Sequence, residues 1–236
     1  MPPYPSTLIK FQSREFEVFG FDNKDHIFNS WKKSGCFYEE GLLNVVADLK
    51  LGGCYIDAGA NVGNHTIFFS EFCSCDEIIS VEASPEIFEI LRLNCKNLVS
   101  TTCVTVNKCV YSNDGLKASS PKINPANCGD TVFTVDDTGT VGTTTLDSLA
   151  EGRDVSLIKL DIQGGELNAL YGASDVLGRC SPALIIEAET KDEFQPINEH
   201  LSELGYMRAS GSLATTPTFL WLAARYRNMS RPLYIT

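Results

Sequence analysis

Apolar and polar positions along this chain follow two rhythms. Short unbroken apolar runs end in an acid, and between them apolar residues recur at helical spacing. Cys54-Tyr55-Ile56 predicts a buried strand ending at Asp57. The turn Gly59-Ala60-Asn61-Val62-Gly63 follows, and Ile67, Phe68 and Phe72 predict a helix from Asn64 onward. A second run, 78–81, ends at Glu82. Ser84-Pro85-Glu86 then supplies an N-cap, a proline at the first helical position and an acid in the first turn. Ile87, Ile90, Leu91 and Leu98 predict an amphipathic helix, and Val104-Thr105-Val106 a third strand. The run 155–160 contains one lysine, Lys159, and ends at Asp161, after which Gly164-Gly165-Glu166 opens a helix. The run 183–186 ends in Glu187 and Glu189, and 194–204 reads as a helix closed by Gly205. The last runs, 206–210 and 219–224, are joined without a helix and should pair antiparallel. Strands alternating with helices imply a mostly parallel sheet covered on both faces, here with one reversed strand.

The flanks are less regular. Runs at 8–11 and 16–19 predict a hairpin around Ser13-Arg14, and 25–33 a brief helix. A helix over 40–50 carries Leu42, Leu43, Val46 and Leu49 on one face, with Gly52-Gly53 closing it. Residues 1–36 thus form an N-terminal extension, either a lid over the site or an edge addition, to a domain spanning 37–236. From 107 to 143 the pattern dissolves into Ser, Asn, Gly, Pro and Asp, with strands expected at 116–119 and 131–135. A polar insertion of that length in an α/β domain is usually functional or mobile.

The glycine turn carries the first chemical clue. A strand, a glycine turn and a helix N-terminus make a cradle whose free N–H groups attract negative charge. The spacing D-x-G-x-N-x-G lacks the third glycine of a dinucleotide fingerprint. Glu82 follows Asp57 by 82 − 57 = 25 residues, where a carboxylate is placed to accept ribose hydroxyls. The turn resembles the S-adenosylmethionine site of class I methyltransferases more than an NAD site. The plain alternative is a tight strand–helix connection whose Asn61 only caps the helix.

Composition narrows the partners. At 236 residues with 43% apolar content the chain can bury a large core. A net charge of −11 argues against general affinity for nucleic acid or anionic membrane. Arg225, Arg227 and Arg231 form a small basic exception, read as a solvated tail. No apolar stretch approaches the roughly 20 residues of a membrane span, and the N-terminus lacks a signal-peptide core. Nine cysteines without regular spacing, and three separated histidines, read as reduced thiols in a cytoplasm with no metal site. The sequons at Asn64 and Asn228 would matter only on a secretory route.

Taken in order, the motifs resemble the FkbM family of class I, Rossmann-like methyltransferases. YIDAGANVGNHT resembles its cofactor turn, and VEASPEIFEILRLN its ribose strand and following helix. TTTLDSL, LIKLDIQGGELNALYGA and PALIIEAE match its later landmarks in order and spacing, and FYEE resembles an aromatic–acid step that often precedes the domain. The resemblance spans about 37–189. It implies a mostly parallel seven-stranded sheet and S-adenosyl-L-methionine as cofactor, with S-adenosyl-L-homocysteine as product. By the same resemblance, Glu39, Asp57, Gly59, Ala60, Asn61, Gly63, Glu82, Ala83 and Asp161 would bind the cofactor. The implied reaction is O-methylation of a hydroxylated small molecule, a sugar or another natural product. Two departures stand out: Gln163 occupies an acidic position of the family's D-x-E-G-x-E, and Ala83 a frequent proline.

Methyl transfer from a sulfonium needs alignment above all, and a hydroxyl acceptor also benefits from a base. Asp161, at a strand end beside the crevice, is the leading base or orienting group; its structural reading is a cap on the next helix. Glu166 sits in that helix's first turn, where the macrodipole favours an acid anyway. His65 lies just past the turn and is placed to reach a substrate, although a packing histidine has the same signature. Glu187 and Glu189 end a strand at the same edge. Rival readings are an NAD-linked oxidoreductase, a cofactor-binding scaffold with weak or no catalysis, which Gln163 favours, and an N-methylating or nucleic-acid enzyme. No Asp/Asn-Pro-Pro-Tyr/Phe step supports the last.

Overall fold

The computed structural model describes residues 3–120, 122–209, 211–214 and 216–226. Arg227, Asn228 and Arg231 lie outside the described residues, as does Ser210 at the end of the run 206–210. The elements in chain order begin with a hairpin, β1 (Ser6–Phe11) and β2 (Arg14–Phe19), then α1 (His26–Ser34) and α2 (Glu40–Leu49). Next come β3 (Cys54–Ala58), α3 (Asn64–Phe72), β4 (Glu77–Val81), α4 (Pro85–Cys95) and β5 (Thr102–Val106). The insertion holds β6 (Cys109–Val110), β7 (Lys117–Ser119), β8 (Thr134–Val135) and β9 (Val141–Thr144). The chain continues through α5 (Leu146–Leu149), β10 (Val155–Leu160), α6 (Glu166–Tyr171), α7 (Ser174–Cys180) and β11 (Ala183–Glu187). It then runs through α8 (Lys191–Glu203), β12 (Met207–Arg208) and β13 (Thr218–Leu222).

Seven strands form the main sheet in the order β12-β13-β11-β10-β3-β4-β5. Every neighbouring pair from β11 to β5 is parallel, while β13 runs antiparallel to both β11 and β12. This is the mostly parallel sheet with one reversed strand that the alternation implies. The central strands β3, β10 and β11 are buried at every position, which is why they read as unbroken apolar runs. Lys159, within β10, is tolerated there because two carboxylates flank it, Asp57 Oδ1 and Asp161 Oδ2, each 3.2 Å from Nζ.

The N-terminal extension is fastened to the elements that follow the glycine turn. Phe11 stacks edge-on against Phe72 at 4.7 Å, and Phe37 against Phe68 at 5.4 Å, seating the hairpin on α3. Two buried asparagines complete the attachment. Asn64 Oδ1 accepts from Trp31 Nε1 at 2.8 Å and from the Tyr38 N–H at 2.9 Å, and its Nδ2 donates to the Tyr38 carbonyl at 2.9 Å. Asn94 exchanges two hydrogen bonds with the backbone of Phe19 and donates to the Val62 carbonyl.

Several boundaries differ from the sequence pattern. α2 ends with Lys50 itself in the left-handed region, at φ 51°, and not at the glycine pair. Leu98 lies beyond α4 and packs against the core from the following turn. The insertion is ordered into a small sheet, β6-β9-β7-β8, whose strands β6 and β9 are too short to show a period of their own.

Candidate active site

A cavity of about 620 Å³ opens at the carboxyl ends of β3, β4, β10 and β11. Ligands bind at that edge in open α/β sheets. Its floor is the turn after β3. The N–H groups of Gly59 and Ala60 both donate to the Val81 carbonyl, at 3.0 and 2.9 Å, and so lash the turn to β4. Gly59 has φ 77°, and a Cβ there would lie 1.7 Å from the Asp161 carbonyl oxygen. The glycine is therefore required by its approach to the end of β10. Asn61, at φ 49°, does not cap α3; Gly63 occupies the N-cap position without a side-chain bond. The Asn61 side chain reaches the insertion, where Oδ1 accepts from the buried Cys128 thiol at 3.4 Å.

Glu82 stands beside the turn with its carboxylate held at both oxygens. Oε2 accepts the Asn61 N–H at 2.9 Å and Oε1 the Ser84 N–H at 2.8 Å. Burial pushes its pKa up to about 7, and those two N–H groups only partly offset this. A buried carboxylate with lone pairs to spare is suited to hydroxyl donors.

The opposite wall gathers charged groups from four segments. Asp161 is gripped by Lys159 on Oδ2, and its Oδ1 accepts from Gln163 Nε2 at 3.2 Å. The same Nε2 lies 3.0 Å from Glu187 Oε2. Burial alone would raise Asp161, but Lys159, a hydrogen bond with Glu187 and the nearby His65 together hold it below the usual carboxylate range. Burial raises Glu187 to about 8, helped by the Asp161 charge and their shared hydrogen bond. His65 Nε2 lies 3.3 Å from Glu39 Oε2. Burial, with Glu39, Asp161 and Glu187 close by, raises the Tyr38 phenol.

Of the residues singled out from the sequence, Glu39, Gly59, Ala60, Asn61, His65, Glu82, Ala83 and Asp161 line this one cavity. Asp57, Gly63 and Glu166 do not. Asp57 is buried behind it, accepting from Thr66 Oγ1 at 2.7 Å and pairing with Lys159. Gly63 faces Leu91, which a Cβ would meet at 3.0 Å. Glu166 folds back to accept the Ile162 N–H at 2.8 Å, fixing the turn 162–165 from behind. Asp161 is no helix cap: Gly165 holds that position in α6.

The extension, read as a lid or an edge addition, and the polar insertion both reach the cavity and form its roof. The insertion contributes 127–135, including Phe133, the extension contributes His26 and Ile27, and Tyr38 follows from the loop after it. Asp25 joins the two parts: Oδ2 caps α1 through the Phe28 N–H and Oδ1 accepts the Cys128 N–H at 3.2 Å. The signal was only that Asp25 opens a helix; its second bond, 103 residues away in sequence, has no local signature. Among the described residues no three His, Cys, Asp or Glu side chains are grouped to hold a metal ion. No helix among them is long and apolar enough to cross a membrane. All nine cysteines are free.

The family model described as "Methyltransferase FkbM domain" matches residues 57–208. No curated protein matches the sequence. Among solved structures, the FkbM methyltransferase of Methylobacillus flagellatus KT superposes with TM-score 0.53 at 15% identity, covering 73% of this chain. This chain spans only 44% of that one. A TehB-like SAM-dependent methyltransferase of Corynebacterium glutamicum gives TM-score 0.48 at 14% identity, covering 83% of this chain and 92% of that one. The M. jannaschii TYW2 structure in complex with AdoMet gives 0.42 at 9% identity, covering 94% and 85%.

Proposed function

The chain belongs to the FkbM methyltransferase family, and from that premise we propose that it transfers the methyl group of S-adenosylmethionine to a hydroxyl of a sugar or similar small polyhydroxylated molecule. The observation that carries the reading is the single cavity joining the glycine turn, Glu82 and Asp161. Its volume, about 620 Å³, lies within the usual range for small-molecule sites. The residues present fit the cofactor. Glu82 is a buried acid with no cation in ion-pair contact among the described residues, and ribose hydroxyls would supply the donors that stabilise its ionised form. The turn 59–61 would receive the methionine end, with Ala83 flanking the ribose side and Glu39 near its amino group.

When bound, the cofactor supplies an already activated methyl group on a sulfonium. The protein's part is alignment and proton handling. Asp161, anchored by Lys159, would orient the acceptor hydroxyl and accept its hydrogen bond. His65 and Tyr38 border the same space. Asp57 acts indirectly, by sharing Lys159, and Glu166 by fixing the turn that carries Gln163.

The acceptor wall favours a neutral partner over an anion. Its carboxyl groups outnumber its cations, and Lys159 is already committed to Asp57, Asp161 and the Gly59 carbonyl. A phosphorylated or nucleic-acid acceptor would meet like charge there. The test is a panel of sugars, hydroxylated small molecules, amines and oligonucleotides incubated with methyl-labelled cofactor. Label should enter a hydroxylated small molecule; transfer to amines or oligonucleotides alone would overturn the assignment.

A further inference from the structure

Gln163 stands in the left-handed region, at φ 58°, and its amide nitrogen sits between two carboxyl groups. Nε2 is 3.2 Å from Asp161 Oδ1 and 3.0 Å from Glu187 Oε2. An amide NH2 carries two hydrogens, so each carboxyl can receive one. Asp161 is also held by Lys159, whereas Glu187 makes no ion pair among the described residues. Its carboxyl faces the cavity, and the amide nitrogen common to both sets the two carboxyl groups side by side. Two carboxyl groups that share a site do not both ionise readily, so the pair tends to keep one proton.

We propose that Glu187 is the second acid–base group of the acceptor wall, and that Gln163 is the positioning residue that joins it to Asp161 as a pair sharing one proton. The inference rests on the methyl-transfer reading given above. It also accounts for a neutral amide at a position where the resembling signature has an acid. A third carboxylate there would deprive both neighbours of the amide donor and add a like charge between them.

The surroundings decide where the proton resides. From β10, Lys159 favours an ionised Asp161, as does His65 from α3. Asp57, from β3, draws on the same lysine. Tyr38, Glu82 and Glu166 lie within electrostatic reach of Asp161, and Glu39 and Glu189 border the cavity. With the lysine bound to Asp161, the shared proton belongs on Glu187, which retains it to about pH 8. The titration is a property of the pair.

In the transfer step, the acceptor oxygen forms its bond to the methyl carbon. The sulfur–carbon bond breaks, with its electron pair going to sulfur. The acceptor's proton passes to the pair, which takes it up once its own shared proton has left to solvent. A sulfonium brought into the cavity adds a positive charge that the thioether product lacks, and so expels the shared proton.

That difference can be measured without knowing the acceptor. S-adenosylmethionine and S-adenosylhomocysteine are titrated calorimetrically into the full chain near pH 8, in two buffers of different ionisation heat. The sulfonium should release more protons than the thioether, and Glu187→Gln should abolish the difference. Gln163→Met keeps the side-chain length but removes both donors, so the release should move to higher pH. Equal release by both ligands overturns the proposal, as does a difference that survives Glu187→Gln. Should Glu187→Gln not fold, Gln163→Met decides, and an unmoved pH dependence rejects the pairing. If neither ligand binds at all, the methyl-transfer reading itself falls, an outcome distinct from the others.

Discussion

Gly59 and Asp161 touch through their backbones: a Cβ on Gly59 would lie 1.7 Å from the Asp161 carbonyl oxygen. The glycine turn after β3 and the loop after β10 are therefore built as one unit. Gly59→Ala would force these segments apart and place a non-glycine residue at φ 77°. We expect a stability loss of roughly 2–5 kcal/mol, measured by urea denaturation. A variant that unfolds like the wild type while losing cofactor affinity would make ligand approach, and not the Asp161 contact, the reason for the glycine.

The same contact marks how far the sequence could be read. The strands that enclose the site were legible because β3, β4, β10 and β11 each carry a buried, largely apolar run with an acid at or next to its carboxyl end. Glu82, Asp161 and Glu187 fall at one edge because parallel strands place their carboxyl ends together. What stayed hidden depends on partners far apart in sequence. Asp25 meeting Cys128 and Gln163 meeting Glu187 leave no periodic trace. The sequence motif placed Asp57 and Gly63 within the cofactor signature, yet the first serves Lys159 and the second packs on Leu91.

Asn64 offers a test of how the extension is held. Its side chain satisfies Trp31 Nε1 and both backbone groups of Tyr38. Asn64→Ala would leave these groups unpaired in a buried setting, costing roughly 2–5 kcal/mol. Hydrogen exchange should then rise over 26–38 before it rises in β3 or β10. Unchanged exchange there would mean that the aromatic contacts alone seat the extension.

Stability should depend on pH with an unusual sign. Glu82 rises from an ordinary 4.5 to about 7 in the folded chain, and Glu187 from 4.5 to about 8. Between the unfolded and folded values the native state binds more protons, so stability falls as pH rises. The unliganded chain should thus lose thermal stability from about pH 5 to pH 8. S-adenosylhomocysteine should offset the Glu82 part, because ribose donors favour the ionised carboxylate. A melting temperature that climbs steadily over this range would contradict both assignments.

Asp161 is expected to bear on chemistry more than on affinity. Asp161→Asn keeps the size of the side chain but removes the charge that Lys159 grips. Once an acceptor is identified, transfer should fall roughly 10²–10⁴-fold, with a much smaller change in cofactor affinity. Full turnover by this variant would leave Asp161 a purely structural partner of Lys159.

The most direct measurement is calorimetric binding of S-adenosylmethionine, S-adenosylhomocysteine and NAD to the full chain, with Glu82→Ala alongside. The cavity at the strand edge should bind the first two and not the third. Glu82→Ala should weaken both by roughly 1.5–3 kcal/mol, the worth of a hydrogen bond to a charged group. NAD binding without any response to S-adenosylhomocysteine, or affinities indifferent to Glu82, would contradict the account.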